Sequence, residues 1–464
     1  MLSKGNCGGD VGHLRPQDNL STMKTPLVKR LRLEPFFDWN NLPPEILVKI
    51  FRHCVMTEGH LSLARLGAVS ENWRKIIPTP SLWNSVDFVK GSENFTSKDL
   101  ESVTRRLCRY IHNCKKISFN STLSNIRFDS LLPFLKNVTE ISFKGCPKLK
   151  PKVLVTLAQS DNANTLDSIN IDGTFSYRVY NRHITTFVSN VLPRLRKLNF
   201  ANNRFDGPAL HMLIEGLTDF CPILEELSLE NCFCTSDFDL IPRLEYLRMK
   251  RKCLALKSLN LNHTNVMFYH YTSSERNAEL EQTTNMFDLK EFRMANSNML
   301  QYFETADALT EFIGDMPNLE ILELSRLKGN NSFKVLYYYK SNKMKYLYLR
   351  ESLSGHLINE RELSEQAAKI FRRWSSTLIE LDLSGNNLYD FSWAVIFKSF
   401  GKYSPLTKLN LAKTNVVSAG VEFILRRFKN LRYLNLKLCN HLKEHMKREY
   451  HSIDLREARK NLRR

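Results

Sequence analysis

A short phrase recurs along this chain: a leucine, two variable residues, a second leucine, one variable residue, a third leucine and, three residues later, a small polar residue. It reads LEELSLENC at 224–232, LIELDLSGN at 378–386, LTKLNLAKT at 406–414 and LRYLNLKLC at 431–439. A phrase repeated at a nearly fixed period indicates one structural unit stacked on copies of itself. Such stacks present extended binding surfaces, so the repeat favours a binding protein over an enzyme.

The phrase can be aligned twelve times, at steps of 24 to 34 residues. Alternation of apolar and polar residues within each copy predicts a strand, and stretches such as 209–217 and 417–428 have helical spacing. The copies start at Cys114, Val138, Leu166, Leu195, Leu224, Leu256, Leu289, Leu319, Met344, Leu378, Leu406 and Leu431. A strand and a helix at this period resemble the leucine-rich repeat in its longer variety. The resemblance implies an α/β fold, a horseshoe-shaped leucine-rich-repeat solenoid with one strand and one helix per repeat.

The ninth position of the phrase tests the alignment, because it holds Asn, Cys, Ser or Thr in eleven of the twelve copies. After each strand the chain turns inward, and a small side chain with a donor can satisfy backbone groups that are hidden from water. Leu327 is the exception, so we expect an irregular or exposed turn there. A further phrase at Leu244, Leu247 and Met249 lies only 12 residues before Leu256. We predict a helix or a degenerate strand at that phrase, not a complete repeat.

Residues 41–88 precede the repeats and have the pattern of three short helices. Pro43 and Pro44 suit the first turn of a helix. Apolar stripes at helical spacing follow at residues 46–54 and 61–69, and Ser70 can cap a third helix. Three helices in under fifty residues have little core of their own, so an apolar face left over would need a partner.

The order of landmarks in this segment resembles an F-box: Leu-Pro-x-Glu-Ile-Leu, Ile-Phe, a leucine-rich helix, Val-Ser-x-x-Trp-Arg and Pro-Ser-Leu-Trp. F-boxes dock on the Skp-type adaptor of cullin–RING ubiquitin ligases. The residues that the resemblance assigns to adaptor binding are Leu42, Pro43, Ile46, Leu47 and Ile50, with Leu63, Val69 and Trp73 building the core of the module and a second contact. The chain departs from the family pattern at His60, where an acidic residue is common, at 67–68 and at 71–72.

These patterns divide the chain into five segments. We predict a disordered N-terminal segment at 1–37, an F-box at 38–89, a helical linker or N-terminal cap at 90–112, a solenoid of about twelve repeats at 113–445 and a basic C-terminal tail at 446–464. The tail either folds back as a cap or stays free. An alternative to the F-box is that the three helices only cap the first repeat, since an end repeat must hide its apolar edge.

The central variable position of each strand should face the inner curve of the horseshoe. It is small and polar in early and late copies, whereas the middle copies carry Arg293, Glu323 and Tyr348, with Tyr346 and Arg350 beside them. Tyr and Arg dominate binding hot spots. We predict that these five residues contact the target protein; the alternative is an ordinary solvated sheet face.

The chain is strongly basic, with 67 Lys and Arg, 48 Asp and Glu and a formal net charge of +19. This balance favours acidic partners, but the charge is spread along the chain and is also typical of a solvated surface. Nucleic acid is the least favoured partner because the strands lack interleaved aromatic and basic residues. The sequence has no apolar run long enough for a membrane span and no signal-peptide core at its start. We expect a reducing compartment, cytoplasm or nucleus, with the ten cysteines as thiols.

Sequence motifs of enzyme chemistry are missing. There is no Gly-rich phosphate loop, no G-x-S-x-G elbow and no paired C-x-x-C units. We therefore predict no catalytic residue, no metal site and no cofactor. In the ligase that the resemblance implies, catalysis belongs to other subunits. Three functions stay open: a non-enzymatic substrate receptor of an SCF-type ligase, a repeat-based scaffold or inhibitor outside any ligase, and a nucleic-acid-associated adaptor.

Overall fold

The structure is a computed structural model that describes residues 39–234, 243–269, 271, 274–275, 289–296, 303–314, 316–327, 331–353, 360–387, 390–401 and 403–462. The chain divides into a first unit, Met1–Pro43, and a second unit, Pro44–Arg464. The predicted disordered segment 1–37 lies outside the described residues. In the first unit, Trp39–Asn41 form a single 3₁₀ turn.

The second unit opens with the three predicted helices: α1 (Pro44–Glu58), α2 (Ser62–Val69) and α3 (Glu71–Ile76). The Ser70 side chain caps α3, because its Oγ accepts a hydrogen bond from the Trp73 backbone N–H at 3.2 Å. Leu47 and Phe51 of α1 are buried. The helical spacing and the cap were therefore both predictable from local sequence.

Among the described residues, a sheet of fourteen strands runs through the second unit, and each of these strands is only three residues long. The central residue of each strand is buried and its two neighbours are mostly half-buried. The strands are β1 (Ser85–Asp87), β2 (Lys116–Ser118), β3 (Glu140–Ser142), β4 (Ser168–Asn170), β5 (Lys197–Asn199), β7 (Glu226–Ser228), β10 (Ser258–Asn260), β12 (Glu291–Arg293), β13 (Ile321–Glu323), β14 (Tyr346–Tyr348), β15 (Glu380–Asp382), β16 (Lys408–Asn410), β17 (Tyr433–Asn435) and β18 (Glu449–His451). Neighbours pair in parallel, except that β18 pairs antiparallel with β17.

Helices connect most of the successive strands and pack against one another along the stack. Their bounds are α4 (Ser97–Leu107), α5 (Asn125–Leu131), α6 (Lys152–Ala158), α7 (Asn181–Asn190), α8 (Gly207–Phe220), α9 (Tyr246–Lys252), α10 (Phe303–Gly314), α11 (Asn331–Tyr338), α12 (Glu360–Arg373), α13 (Asp390–Ser399) and α14 (Ser418–Arg427). The helices also pack against the residues that follow the strands. Phe187 of α7 and Phe200 after β5 are one example, with ring centroids 5.8 Å apart. After the three helices, the second unit is a leucine-rich-repeat solenoid, and this fold class agrees with the prediction.

The turns that follow eleven of the strands share one backbone conformation. Eleven residues at the eighth position of the phrase have φ between 51° and 74°. They are Gly145, Gly173, Asn202, Asn231, His263, Asn296, Arg326, Glu351, Gly385, Lys413 and Leu438. The left-handed region favours Gly and Asn, which hold six of these eleven positions, so the turn imposes positive φ on other residue types at the remaining five.

Nine of the eleven described ninth-position side chains donate to backbone carbonyls, as predicted. Many of them donate to the preceding repeat: Thr174 Oγ1 to the Phe143 carbonyl at 2.8 Å, and Cys232 Sγ to the Phe200 carbonyl at 3.1 Å. Asn386 makes four such bonds. Its Nδ2 donates to the Leu349 and Leu383 carbonyls, and its Oδ1 accepts from the backbone N–H groups of Ser352 and Leu353.

The expectation of an exposed or irregular turn at Leu327 is wrong. Arg326 keeps the left-handed conformation with φ of 57°, and Leu327 is 1% exposed. The carbonyl of Leu324 is served from the next repeat, where Ser352 Oγ donates to it at 2.6 Å. A leucine at the ninth position therefore leaves the carbonyl of its own turn satisfied.

Two further segments of uncertain sequence pattern have defined structure. The phrase at 244–249 becomes a two-residue strand, β9 (Arg243–Leu244), followed by α9, which agrees with the prediction for that phrase. β9 pairs with β11 (Met267–Phe268), and β6 (Arg204–Phe205) pairs with β8 (Phe233–Cys234).

The C-terminal tail folds back onto the repeats. Its strand β18 extends the sheet, and α15 (Ser452–Asn461) follows that strand. Within the described residues, no helix has the length and apolarity needed to cross a membrane.

Candidate functional site

The helical module exposes apolar side chains that the repeats do not cover. Ile46 on α1 is 39% exposed and Val69 at the end of α2 is 60% exposed, and Ile50 is half-buried one turn after Ile46. Residues 46 and 50 lie on the same face of α1 because they are four positions apart. The module therefore carries an apolar surface at two of its helices.

The other predicted adaptor residues in this unit lie deeper. Leu47 is 2% exposed and Leu63 is fully buried, so both pack inside the module. Leu63 was expected in the core, whereas Leu47 was expected at the adaptor and its side chain is not available there. Trp73 is half-buried and packs edge-on against Phe51, with ring centroids 5.4 Å apart.

Leu42 and Pro43 belong to the first unit. Leu42 is half-buried and Pro43 is exposed. Both stand immediately before α1 in the chain, which is the place that the resemblance assigns to the start of the adaptor contact.

His60 joins the helical module to the first strand of the sheet. Its ring is 2% exposed, and its Nδ1 accepts a hydrogen bond from the Asp87 backbone N–H at 2.9 Å. Nε2 therefore carries the proton and donates to the Leu82 carbonyl at 2.9 Å. Burial lowers the pKa of His60, which keeps the ring neutral. Trp83 packs beside it at 5.5 Å between centroids and donates its own Nε1–H to the Ile77 carbonyl at 2.6 Å.

Two glycines close the same junction. Gly59 has φ of 79° and Gly91 has φ of 77°, both in the left-handed region. A Cβ at Gly59 would lie 2.4 Å from the Lys90 carbonyl oxygen, and one at Gly91 would lie 2.4 Å from that of Glu58. The segment after β1 therefore packs directly on the end of α1, and the module is fixed on the first repeats.

The sheet places Arg293, Glu323 and Tyr348 in one row, because these residues are in register on β12, β13 and β14. The Arg293 guanidinium donates to Glu291 at 2.5 Å and to Glu323 at 3.0 Å, and lies 5.7 Å from the centre of the Tyr348 ring. Arg293 is thus held by two carboxylates and a ring. The predicted cluster exists as a contact network at these three residues.

Tyr346 and Arg350 flank this row on the β14 strand and its turn. Tyr346 is half-buried. Arg350 donates to Glu351 at 3.3 Å and shares no described partner with Arg293. Burial, with the nearby Glu380 carboxylate, raises the pKa of Tyr348 to about 12, so its hydroxyl stays a neutral donor.

Sequence reasoning did not single out the neighbouring strands, where the sheet face holds a cleft of about 390 Å³. Its polar lining residues are Glu380, Asp382, Lys408, Asn410, Tyr433 and Asn435. Asn410 Nδ2 donates to Asp382 at 2.8 Å, and Lys408 pairs with Glu380 at 3.1 Å. The sequence pattern could have indicated this polar cleft, because each of these strands carries polar residues on both sides of its buried leucine.

Comparison with known protein families identifies the helical module at the start of the described chain. The family model described as F-box-like matches residues 39–89. These residues form an F-box-like domain. No curated protein matches the chain.

Many solved structures are similar to the chain, among them the three that follow. The yeast Rad7 and Elc1 complex is 14% identical over 83% of this chain and 94% of that one, with a TM-score of 0.46. The leucine-rich-repeat ectodomain of the receptor kinase GASSHO1/SCHENGEN3 from Arabidopsis thaliana, in complex with CASPARIAN STRIP INTEGRITY FACTOR 2, is 15% identical over 70% and 36%, with a TM-score of 0.32. The TLR13–ssRNA13 complex is 15% identical over 78% and 58%, with a TM-score of 0.33.

Proposed function

We propose that this chain is the substrate-recognition subunit of an SCF-type cullin–RING E3 ubiquitin ligase. The F-box-like domain would dock on the Skp-type adaptor, and the repeats would bind the protein to be ubiquitinated. The chain would contribute no catalytic group; it would act by holding the target near the ligase, so that transfer becomes effectively intramolecular. The observation that carries this proposal is the F-box-like match at residues 39–89.

The surface of the domain supports the proposal. Ile46 and Val69 are large apolar side chains left exposed on a module whose Leu47, Phe51 and Leu63 are already buried. Covering an isoleucine or valine side chain stabilises a complex by about 1.5 to 3 kcal/mol if it is fully buried, and less for side chains that start partly covered. An adaptor groove of apolar lining would gain this burial.

The junction at His60 also supports it. A receptor that works by proximity benefits from a fixed distance between its docking end and its target-binding end. The hydrogen bonds of His60 to Leu82 and Asp87 tie the helical module directly to β1. The same contacts would also suit a scaffold in which the helical module only caps the repeats. A repeat-based scaffold outside any ligase is therefore the second candidate function.

The target-binding residues are proposed as Arg293, Glu323, Tyr346, Tyr348 and Arg350 on the sheet face. Arg293 and Glu323 are occupied with one another, so they would organise the surface. Tyr346 and Arg350 are partly exposed beside them and would make the direct contacts. The cleft on β15–β17 extends the same face.

Capture by the adaptor tests the function. The chain is co-expressed with a Skp-type adaptor and cullin, and co-purification is measured for the wild type, for Ile46→Asp and for a Leu42→Ala, Pro43→Ala double variant. We expect capture by the wild type and loss of at least about tenfold for Ile46→Asp, because a carboxylate would replace an apolar contact.

Ile126→Asp is the matched control. It makes the same substitution at a side chain that is 84% exposed, but on α5 of the repeats. Capture should be unchanged in this variant. If folded wild-type protein does not capture the adaptor, the ligase function is wrong and the stand-alone repeat scaffold takes its place.

A further inference from the structure

A cleft of about 610 Å³ lies at the C-terminal end of the solenoid, away from the residues proposed to bind the target. One wall is α15 and the other is the segment that enters β17. The lining residues are Pro405, Thr407, Lys429, Asn430, Leu431, Arg432, Ser452, Arg456 and Arg459.

The tail is positioned so that its cations face this cleft. Ser452, Arg456 and Arg459 are spaced i, i+4 and i+7, so they lie on one face of α15. Ser452 Oγ donates to the Arg432 carbonyl at 3.4 Å, which connects the helix to the opposite wall. The Arg459 guanidinium donates to the carbonyls of Leu425, Phe428 and Leu431 at 3.1, 2.7 and 3.2 Å. These three hydrogen bonds hold the Arg459 side chain in place in the last turn of α15.

The charge of the cleft is one-sided. Four of its nine lining residues are cationic and none is acidic. Within the described part of the chain, the side chains of Lys429, Arg432 and Arg456 have no carboxylate within 4.0 Å, although all three are exposed. Nearby lysines differ in this respect: Lys408, Lys437 and Lys447 pair with Glu380, Glu449 and Asp454. The positive charge of the cleft is thus uncompensated within the described structure.

We propose that this cleft binds a phosphorylated serine or threonine of a partner protein. A phosphate monoester carries a charge of about −1.5 to −2 at neutral pH and offers three acceptor oxygens. Such a group needs several cations, and the planar guanidinium fork of Arg matches its geometry. A single carboxylate would leave most of the four positive charges unmatched.

A nucleic acid is the less favoured ligand. Proteins that bind single strands stack the bases on aromatic rings along a basic groove. None of the nine lining residues is aromatic, and the cations meet in one cleft at the end of the molecule. The cleft fits one anionic group better than a row of phosphates.

Direct peptide binding to the purified full-length chain tests the proposal, so the outcome does not depend on adaptor binding. Fluorescence polarisation is measured with a labelled, otherwise uncharged peptide that contains one phosphoserine, and with its unphosphorylated form. We expect the phosphorylated peptide to bind at least about tenfold more tightly, since each charge-assisted hydrogen bond contributes strongly. An Arg432→Ala, Arg456→Ala double variant should weaken that binding at least about tenfold.

The matched control is Arg178→Ala with Arg182→Ala, which removes two exposed arginines from one early repeat and lowers the net charge equally. It should bind the phosphopeptide as the wild type does. Circular dichroism and thermal melting confirm that both double variants are folded.

Two results would overturn the proposal. One is equal binding of the two peptides, or of the phosphopeptide to wild type and cleft variant. The other is tighter binding of an oligouridine, lost in the same cleft variant, which would make the cleft a nucleic-acid site.

Discussion

At the scale of single residues, His60 shows why this F-box-like domain departs from an acidic residue at that position. The ring must accept a hydrogen bond from Asp87 and donate one to Leu82, and a carboxylate can only accept. The sequence showed the departure but not its reason, because Leu82 and Asp87 lie 22 and 27 residues further along the chain. Only the fold brings these three residues together.

We predict that His60→Ala lowers the free energy of unfolding by about 2 to 5 kcal/mol at pH 7.5, because a buried carbonyl and a buried N–H lose their partner. His53→Ala is the control. His53 is exposed on α1, and its removal should change the stability by no more than about 0.5 kcal/mol. Urea unfolding of the three proteins measures the difference.

The same variant tests the lowered pKa of His60. The unfolded chain takes up a proton near pH 6.5 while the folded ring stays neutral, so acidification below that value destabilises the wild type. His60→Ala lacks this loss, and the stability gap between the two proteins should narrow as the pH falls from 7.5 to 5.5. A constant or widening gap would show that His60 does not stay neutral in the fold.

At the scale of the repeat element, the phrase predicted the buried strand centres and the ninth-position hydrogen bonds. It did not predict the left-handed eighth position, since Arg326, Glu351, Lys413 and Leu438 give no local signal for positive φ. The misjudged turn at Leu327 has a related cause. Ser352 of the next repeat donates to the Leu324 carbonyl, so the leucine at position 327 does not disturb its own turn.

We predict that Asn386→Leu destabilises the solenoid by about 3 to 5 kcal/mol, because two carbonyls and two N–H groups lose their partner in a buried turn. Asn387→Leu, the same change at the exposed next position, should have an effect below about 1 kcal/mol. Equilibrium unfolding in urea compares them. Equal effects at the two positions would contradict the role given to the ninth position.

At the scale of the whole molecule, the sequence predicted a helical module followed by a repeat solenoid. It left open whether the basic tail folds back, because β18 depends on pairing with β17 and not on local pattern. The sheet-face row was predictable in part. The repeat register aligns Arg293, Glu323 and Tyr348, whereas the ion pair that ties Arg293 to Glu291 depends on side-chain conformation.

The central proposal is that the F-box-like domain would dock on the adaptor and that the sheet face would stay open for a target. Hydrogen–deuterium exchange of the full-length chain, with and without the Skp-type adaptor, tests it most directly. We predict slower exchange in residues 44–76 when the adaptor is present and unchanged exchange in strands β12–β17. Unchanged exchange in the domain, or protection confined to the sheet face, would contradict the claim.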